Sequence, residues 1–228
     1  MDAGAARVAF VNFFGHATVA TWSSEPLPTY VLGAMLPDFA TLSGARSLGA
    51  GEPSVARGVA LHHRTDDAFH GAPTFVALMI EARARLERAG LGNGPSRATA
   101  HIGIEMLLDG TLVGEALPAR AFLGAIEAIR EEHLVFGSAE HAARFWHFHE
   151  RVRHYGVPYG YVDPAFVAAR VAGALAHRPR LALGDSTAGD VTRVLRDLRP
   201  LILERAGALL DEVRAGLAGA PEDDATRR

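Results

Sequence analysis

The chain contains no cysteine and no lysine. Without cysteine there is no disulfide, no thiolate nucleophile and no cysteine-ligated zinc, so any metal must be held by His, Asp and Glu. Without lysine, all 23 basic residues are arginine, which excludes Schiff-base chemistry and a Walker-type phosphate loop. An excess of positive charge is missing as well. The formal net charge is -3 and the pI about 6.4, so no global basic field exists to hold nucleic acid by counterion release, and a nucleic-acid partner is not expected. No run reaches the ~18 apolar residues of a membrane span. The segment "RVAFVNFFGHATVATW" is signal-like in its apolar run, but Asn12 and His16 interrupt it and Arg7 alone supplies its basic flank. A cytoplasmic location is expected.

What is present is the balance of a soluble globular protein, with 49% hydrophobic and 21% charged residues in 228. That length suits one substantial core. Helical spacing dominates, with frequent Ala, Leu, Arg and Glu and few alternating β-branched runs. The expectation is an all-α, single-domain multi-helix bundle over residues 1–219, followed by a frayed polar tail, "APEDDATRR", over 220–228. One helix should open near Pro73 and end at Gly90, and a second should begin near Ser96. Others are expected in "PARAFLGAIEAIREEHLVF", "SAEHAARFWHFHERVRHYG", "PAFVAARVAGALAHR" and a long C-terminal segment, which Pro200 should kink or break near Arg199.

Chemistry-bearing residues gather in a few places. In "LHHRTDDAFHGAP", three histidines and two aspartates fall within ten positions. On a helix, His62 and Asp66 share a face and can reach one ion, while His63 points elsewhere; a solvated helix face accounts for the same letters. In "HIGIEMLLD", His101, Glu105 and Asp109 form an i, i+4, i+8 stripe on an otherwise apolar segment. Buried carboxylates need water, a cation or arginine, so this stripe is either a solvent face or a site. His16 in "VNFFGHATVA" and Asp38 in "YVLGAMLPDFA" sit among apolar neighbours. Together these segments supply a sufficient ligand set for one or two hard or borderline divalent ions. In "FWHFHERVRHYG", His147 and His149 are two apart and diverge on a helix, so Phe145, Trp146 and Phe148 read as core or pocket wall. "VPYGYVDP" is a candidate lid or rim loop.

These same residues resemble the acyl carrier protein phosphodiesterases, relatives of the His-Asp metal-dependent phosphohydrolases. "NFFGH" is similar to the family's "NFLAH"-like segment, "GAMLPDF" to its "GNLLGDF"-like one, and "GVALHHRTD" to its "GIxxHRxID"-like one. "IEMLLDGTL" resembles its "LDxxxDHFL"-like helix, and "HRPRL" its "RRPRL"-like segment. The five motifs occur in the family's order and cover most of the chain. Two departures are visible: Gly110 stands where the family tends to have histidine, and His70 where an aspartate is common.

The resemblance implies a helical fold of the His-Asp phosphohydrolase type and hydrolysis of the phosphodiester joining 4'-phosphopantetheine to acyl carrier protein. It implies a divalent ion, manganese by family expectation, with magnesium, iron or zinc as alternatives. His16, His62, Asp66 and Asp109 are the expected ligands, and Asp38 and Glu105 further ligands or the base. Arg64 is a candidate phosphate clamp through its guanidinium fork, or else a structural salt bridge. Arg178 and Arg180 are candidates to meet an acidic carrier protein, or else a solvated pair. His70 is the position on which substrate identity turns. The alternatives are a phosphohydrolase of the same fold acting on a nucleotide or lipid head group, and a helical interaction protein without catalysis.

Overall fold

The computed structural model describes residues 13–24, 26–45, 48–184 and 187–219. The expected tail at 220–228 lies outside them. The protein is all-α, and one continuous apolar core joins its helices. In chain order the helices are α1 (Phe13–Ala20), α2 (Pro28–Ser43), α3 (Pro53–Gly71), α4 (Pro73–Arg88), α5 (Asn93–Leu112), α6 (Ala116–Ala128), α7 (Ala139–Tyr155), α8 (Pro164–Leu175) and α9 (Ala188–Gly219). Two strands of two residues each, β1 (Gly49–Ala50) and β2 (Leu134–Val135), pair antiparallel with Gly49 opposite Val135.

Helix starts follow from local chemistry. Proline opens α2, α3, α4 and α8, where a missing amide hydrogen costs nothing and the fixed φ is already helical. Side chains of Glu52, Ser138 and Asp163 accept first-turn amides at α3, α7 and α8. The start of α4 is held from across the bundle, where Glu212 on α9 accepts from the Thr74 amide at 2.9 Å and its hydroxyl at 2.8 Å. Between α3 and α4 the chain turns at Ala72, whose extended backbone (ψ 126°) is what a residue preceding proline prefers.

α2 forms the centre of one half of the bundle, burying Val31, Leu32, Ala34, Met35, Leu36 and Phe39. It packs on α1, α3, α6 and α7, while α9 braces α3, α4, α5 and α8 on the other side. The α2–α3 crossing is unusually close. A Cβ added at Gly33 would lie 2.1 Å from the Val55 oxygen, and one added at Gly58 would lie 2.2 Å from the Tyr30 oxygen. Only glycine at both positions allows this approach, which brings the polar ends of the two helices into one site.

Three expectations need correction. α5 begins at Asn93, three residues before Ser96, because Pro95 is tolerated in a first turn whose amides have no helical partner. The segment after Ala128 is not helix. Arg130 Nη1 donates to the Glu127 and Ile129 carbonyls at 2.8 Å each, and a short 3-10 turn at Glu131–His133 leads into β2. Of the kink or break expected at Pro200, the break does not occur, since α9 continues as one helix through it. Pro200 and Arg196 both face solvent, so water can satisfy the carbonyl whose helical bond the proline removes.

Candidate metal centre

Three helices deliver one polar cluster into this apolar frame. His16 comes from α1, Asp38 from α2, and His62 and Asp66 from consecutive turns of α3. The Asp66 carboxylate spans the two imidazoles: Oδ1 lies 3.2 Å from His16 Nε2, and Oδ2 lies 3.3 Å from His62 Nε2. The two rings stack with centroids 4.0 Å apart, and Asp38 Oδ2 is 3.8 Å from His16 Nε2. Both histidines are buried. His62 donates its Nδ1 hydrogen to the Ala34 carbonyl at 2.9 Å, so a neutral ring turns a bare Nε2 lone pair toward a carboxylate oxygen. Two lone-pair atoms at that separation require a positive charge between or upon them, either a proton or a metal ion.

The electrostatics show the same demand. Burial disfavours a charged His62, yet the hydrogen bond to Asp66 and the nearby Asp38 outweigh it and raise its pKa above the usual histidine value. Burial likewise opposes the Asp66 charge, but His16 and His62 overcome it and hold that carboxyl far below the usual range. Asp38 goes the other way: burial, only partly countered by His16 and His62, raises it to about 6.

His16, His62 and Asp66 each offer a ligand atom, all within 4.8 Å of one another, and the group can hold a metal ion. The His62 ring is already oriented for such an ion by its hydrogen bond to the Ala34 carbonyl. His16 Nδ1 and Asp38 Oδ2 are buried without a hydrogen-bond partner among the described residues. A cavity of about 30 Å³ borders His16 and Asp66, enclosed by Val19, Phe69 and Leu108, which is room for about one water molecule.

α5 carries the rest. Asp109 is fully buried and does not join this three-residue group. Burial first, and then the Glu105 charge, pushes its carboxyl well above the usual range. The amides of Phe14 and Gly15 in the first turn of α1 lie against it and oppose the shift, but neither meets the geometry of a full hydrogen bond. One turn back, Glu105 is also buried, with His101 Nε2 at 2.8 Å and His70 Nε2 at 3.4 Å from the same oxygen, Oε1. These two contacts outweigh burial and lower the Glu105 pKa.

Beside Asp38, His101 and Glu105 opens a cavity of about 870 Å³, walled also by Arg97, His177, Arg178 and apolar residues of α2, α5 and α8. Arg178 and Thr41 also line a neighbouring cavity of about 610 Å³.

The sequence-derived residues therefore divide. His16, Asp38, His62 and Asp66 converge, while Glu105 and His70 meet each other with His101. Arg178 lines the large cavity, whereas Arg180 lies on an exposed turn and does not line it. Arg64 leaves α3 about 200° around from His62, with no polar contact to the cluster, and its Nε is buried without a partner among the described residues. That position gives no support to the phosphate-clamp role. Of the remaining readings, His149 is a core residue that donates to the Ile126 carbonyl at 3.0 Å, while His147 is exposed. The candidate lid is packed down: Tyr161 is buried, and its carbonyl sits where a side chain at Gly110 would be, 2.3 Å from an added Cβ.

Sequence reasoning placed His101 in the α5 stripe but did not pair it with His70, and it missed Arg97 on the cavity wall. Arg97, His101, Glu105 and Asp109 make one i+4 series on α5, a signal visible in the letters alone. Comparison with protein-family models, curated proteins and solved structures finds no match.

Proposed function

We propose that this chain is a divalent-metal-dependent phosphodiesterase of the acyl carrier protein phosphodiesterase type. The observation that carries the reading is the convergence of His16 Nε2, His62 Nε2 and the Asp66 carboxylate, with the His62 tautomer set by Ala34. Two imidazoles with carboxylate suit manganese, iron or zinc better than the all-oxygen sets preferred by magnesium and calcium, and manganese is the ion the motif resemblance implies. A divalent ion bound there supplies a Lewis acid and a water of lowered pKa.

The chain's own residues do the remainder. Asp38 presents a carboxyl beside the ligands, raised by burial to about 6 in the metal-free protein and placed to accept a proton from water at the site. Asp109 keeps a buried carboxyl against the first turn of α1. Arg97 and Arg178 place guanidinium groups on the large cavity wall, where they can meet phosphate oxygens or acidic side chains of a docked carrier protein. Leu42, Ile102 and Leu181 give the same cavity apolar sides. Its volume suits a flexible arm such as phosphopantetheine.

The direct test is incubation of the manganese-loaded protein with holo acyl carrier protein, reading released 4'-phosphopantetheine and apo carrier by mass spectrometry. Release that stops in Asp66→Asn is the expected result. Turnover of nucleotide or lipid head-group phosphodiesters instead would move the substrate to those classes. No turnover of any of them by metal-loaded protein would overturn the enzymatic reading in favour of an interaction protein.

A further inference from the structure

The His70–His101–Glu105 cluster shares no residue with the His16–His62–Asp66 centre. Its three ligand atoms lie within 4.8 Å of one another, and both imidazoles aim Nε2 at Glu105 Oε1. Two ring nitrogens directed at one carboxylate oxygen leave three convergent ligand atoms, two of whose residues, His101 and Glu105, line the large cavity. The rings are held there by a common wall. Phe75 contacts His70 with centroids 5.3 Å apart and His101 at 5.8 Å, both edge to face, and Phe69 flanks His70 at 5.5 Å.

Access and burial are divided as a loadable site needs. Glu105 is 6% exposed, while the side chains of His70 and His101 are 39% and 41% exposed. His101 and Glu105 also line the 870 Å³ cavity, so an ion and its waters have an entry path.

We propose that His70, His101 and Glu105 form a second divalent-cation site with two imidazoles and one carboxylate, independent of the first. Three protein ligands and open positions toward a cavity are the arrangement in which a cation keeps exchangeable water. The set selects zinc, cobalt, iron or manganese over magnesium and calcium, since the imidazoles are borderline donors. An ion here would put positive charge on the wall of the cavity that Asp38 also lines.

The test is a cobalt(II) titration of chelator-treated full-length protein, followed by visible absorbance and calorimetry. It does not depend on catalysis, so it can fail or succeed separately from the proposed activity. The wild type should bind two equivalents. His101→Ala and His70→Ala, each at a half-exposed position, should each lose one equivalent, or weaken it by more than the 10–100-fold that loss of an outer hydrogen-bond partner costs. Asp66→Asn should lose the other equivalent and retain this one. Thermal melts of the metal-free variants check that the fold persists. Two equivalents retained in both histidine variants would overturn the proposal. So would a wild type that binds a single equivalent abolished only by Asp66→Asn, because the cluster would then be an ion-free hydrogen-bonded triad.

Discussion

His62 and Ala34 are joined across the α2–α3 crossing by a 2.9 Å hydrogen bond from Nδ1 to the main-chain carbonyl. The bond exists because Gly33, next to Ala34 in the chain, and Gly58, one turn before His62, let the helices touch backbone to backbone. A packing feature thereby sets a chemical one: it decides which histidine nitrogen carries the proton and which faces Asp66. Pro37 lies in the same stretch of α2, where it removes the amide that would have bonded to the Gly33 carbonyl.

Asp66 is the residue whose charge organises the first centre, and it is 36% exposed at the edge of the cluster. Asp66→Asn should therefore leave the fold intact while weakening metal binding at that centre by more than about 100-fold, beyond the cost of losing an outer-shell partner. Burial acts to lower the His62 pKa, and the Asp66 hydrogen bond is the largest influence raising it. In the metal-free variant the His62 imidazole should titrate lower than in wild type, as followed by NMR. An unchanged His62 titration would show that Asp66 is not its partner in solution.

The helix crossing can be tested with a matched pair of glycines. Gly58→Ala places a Cβ 2.2 Å from the Tyr30 oxygen and 2.7 Å from the Gly33 Cα, so the helices must part. The expected loss is about 1–3 kcal/mol, as for overpacking elsewhere, together with weaker metal binding as His62 moves from Ala34. Gly124→Ala lies inside α6 with nothing within 4 Å of the added atom. It should gain roughly 0.5–1 kcal/mol from helix propensity alone. Urea unfolding of both variants measures the contrast, and equal effects would mean that the close approach is not a constraint.

The sequence displayed the two ligand stripes because helical periodicity is local. His62, Asp66 and His70 fall one turn apart on α3, as do His101, Glu105 and Asp109 on α5. Arg64 could have been set aside by the same rule, since two residues along a helix turn it to the far side. Which stripe faces which is a tertiary fact. His70 meets Glu105 35 positions away in the chain, and no spacing rule reaches that far. The all-α class was legible from composition and spacing. The end of α6 was not, since it depends on the Arg130 side chain capping carbonyls and on β2 pairing with a strand some 85 residues earlier in the chain.

Glycine stands at position 110, where the proposed family would place a histidine, and packing accounts for the glycine. The turn at Tyr159–Val162 lies against α5 so closely that a Cβ at Gly110 would be 2.3 Å from the Tyr161 oxygen and 2.6 Å from its carbonyl carbon. Gly110→Ala should destabilise the protein by about 1–3 kcal/mol or more, outweighing the ~1 kcal/mol that alanine gains in a helix. Gly110→His should be worse still. A Gly110→Ala protein as stable as wild type in urea unfolding would show that the turn is not seated on α5.

Asp38 should make metal-free stability fall as pH rises through the acid range. Burial, partly offset by His16 and His62, lifts its carboxyl from 3.8 to about 6. Between those values the folded protein retains a proton that the unfolded chain has released, so the folded state loses relative stability as pH rises through this window. A shift of about two units corresponds to ~3 kcal/mol at full effect, an upper bound for a side chain 25% exposed. Asp38→Asn removes this ionisation. Urea unfolding in chelator should therefore find the two proteins alike in their Asp38 contribution near pH 4, with the asparagine variant gaining an advantage that grows to its full size above pH 6. Adding manganese should shrink that advantage, because a cation beside the carboxylate compensates the buried charge. A metal-free wild type at least as stable as Asp38→Asn at pH 7 would remove the case that Asp38 is held as a strained charge awaiting a cation.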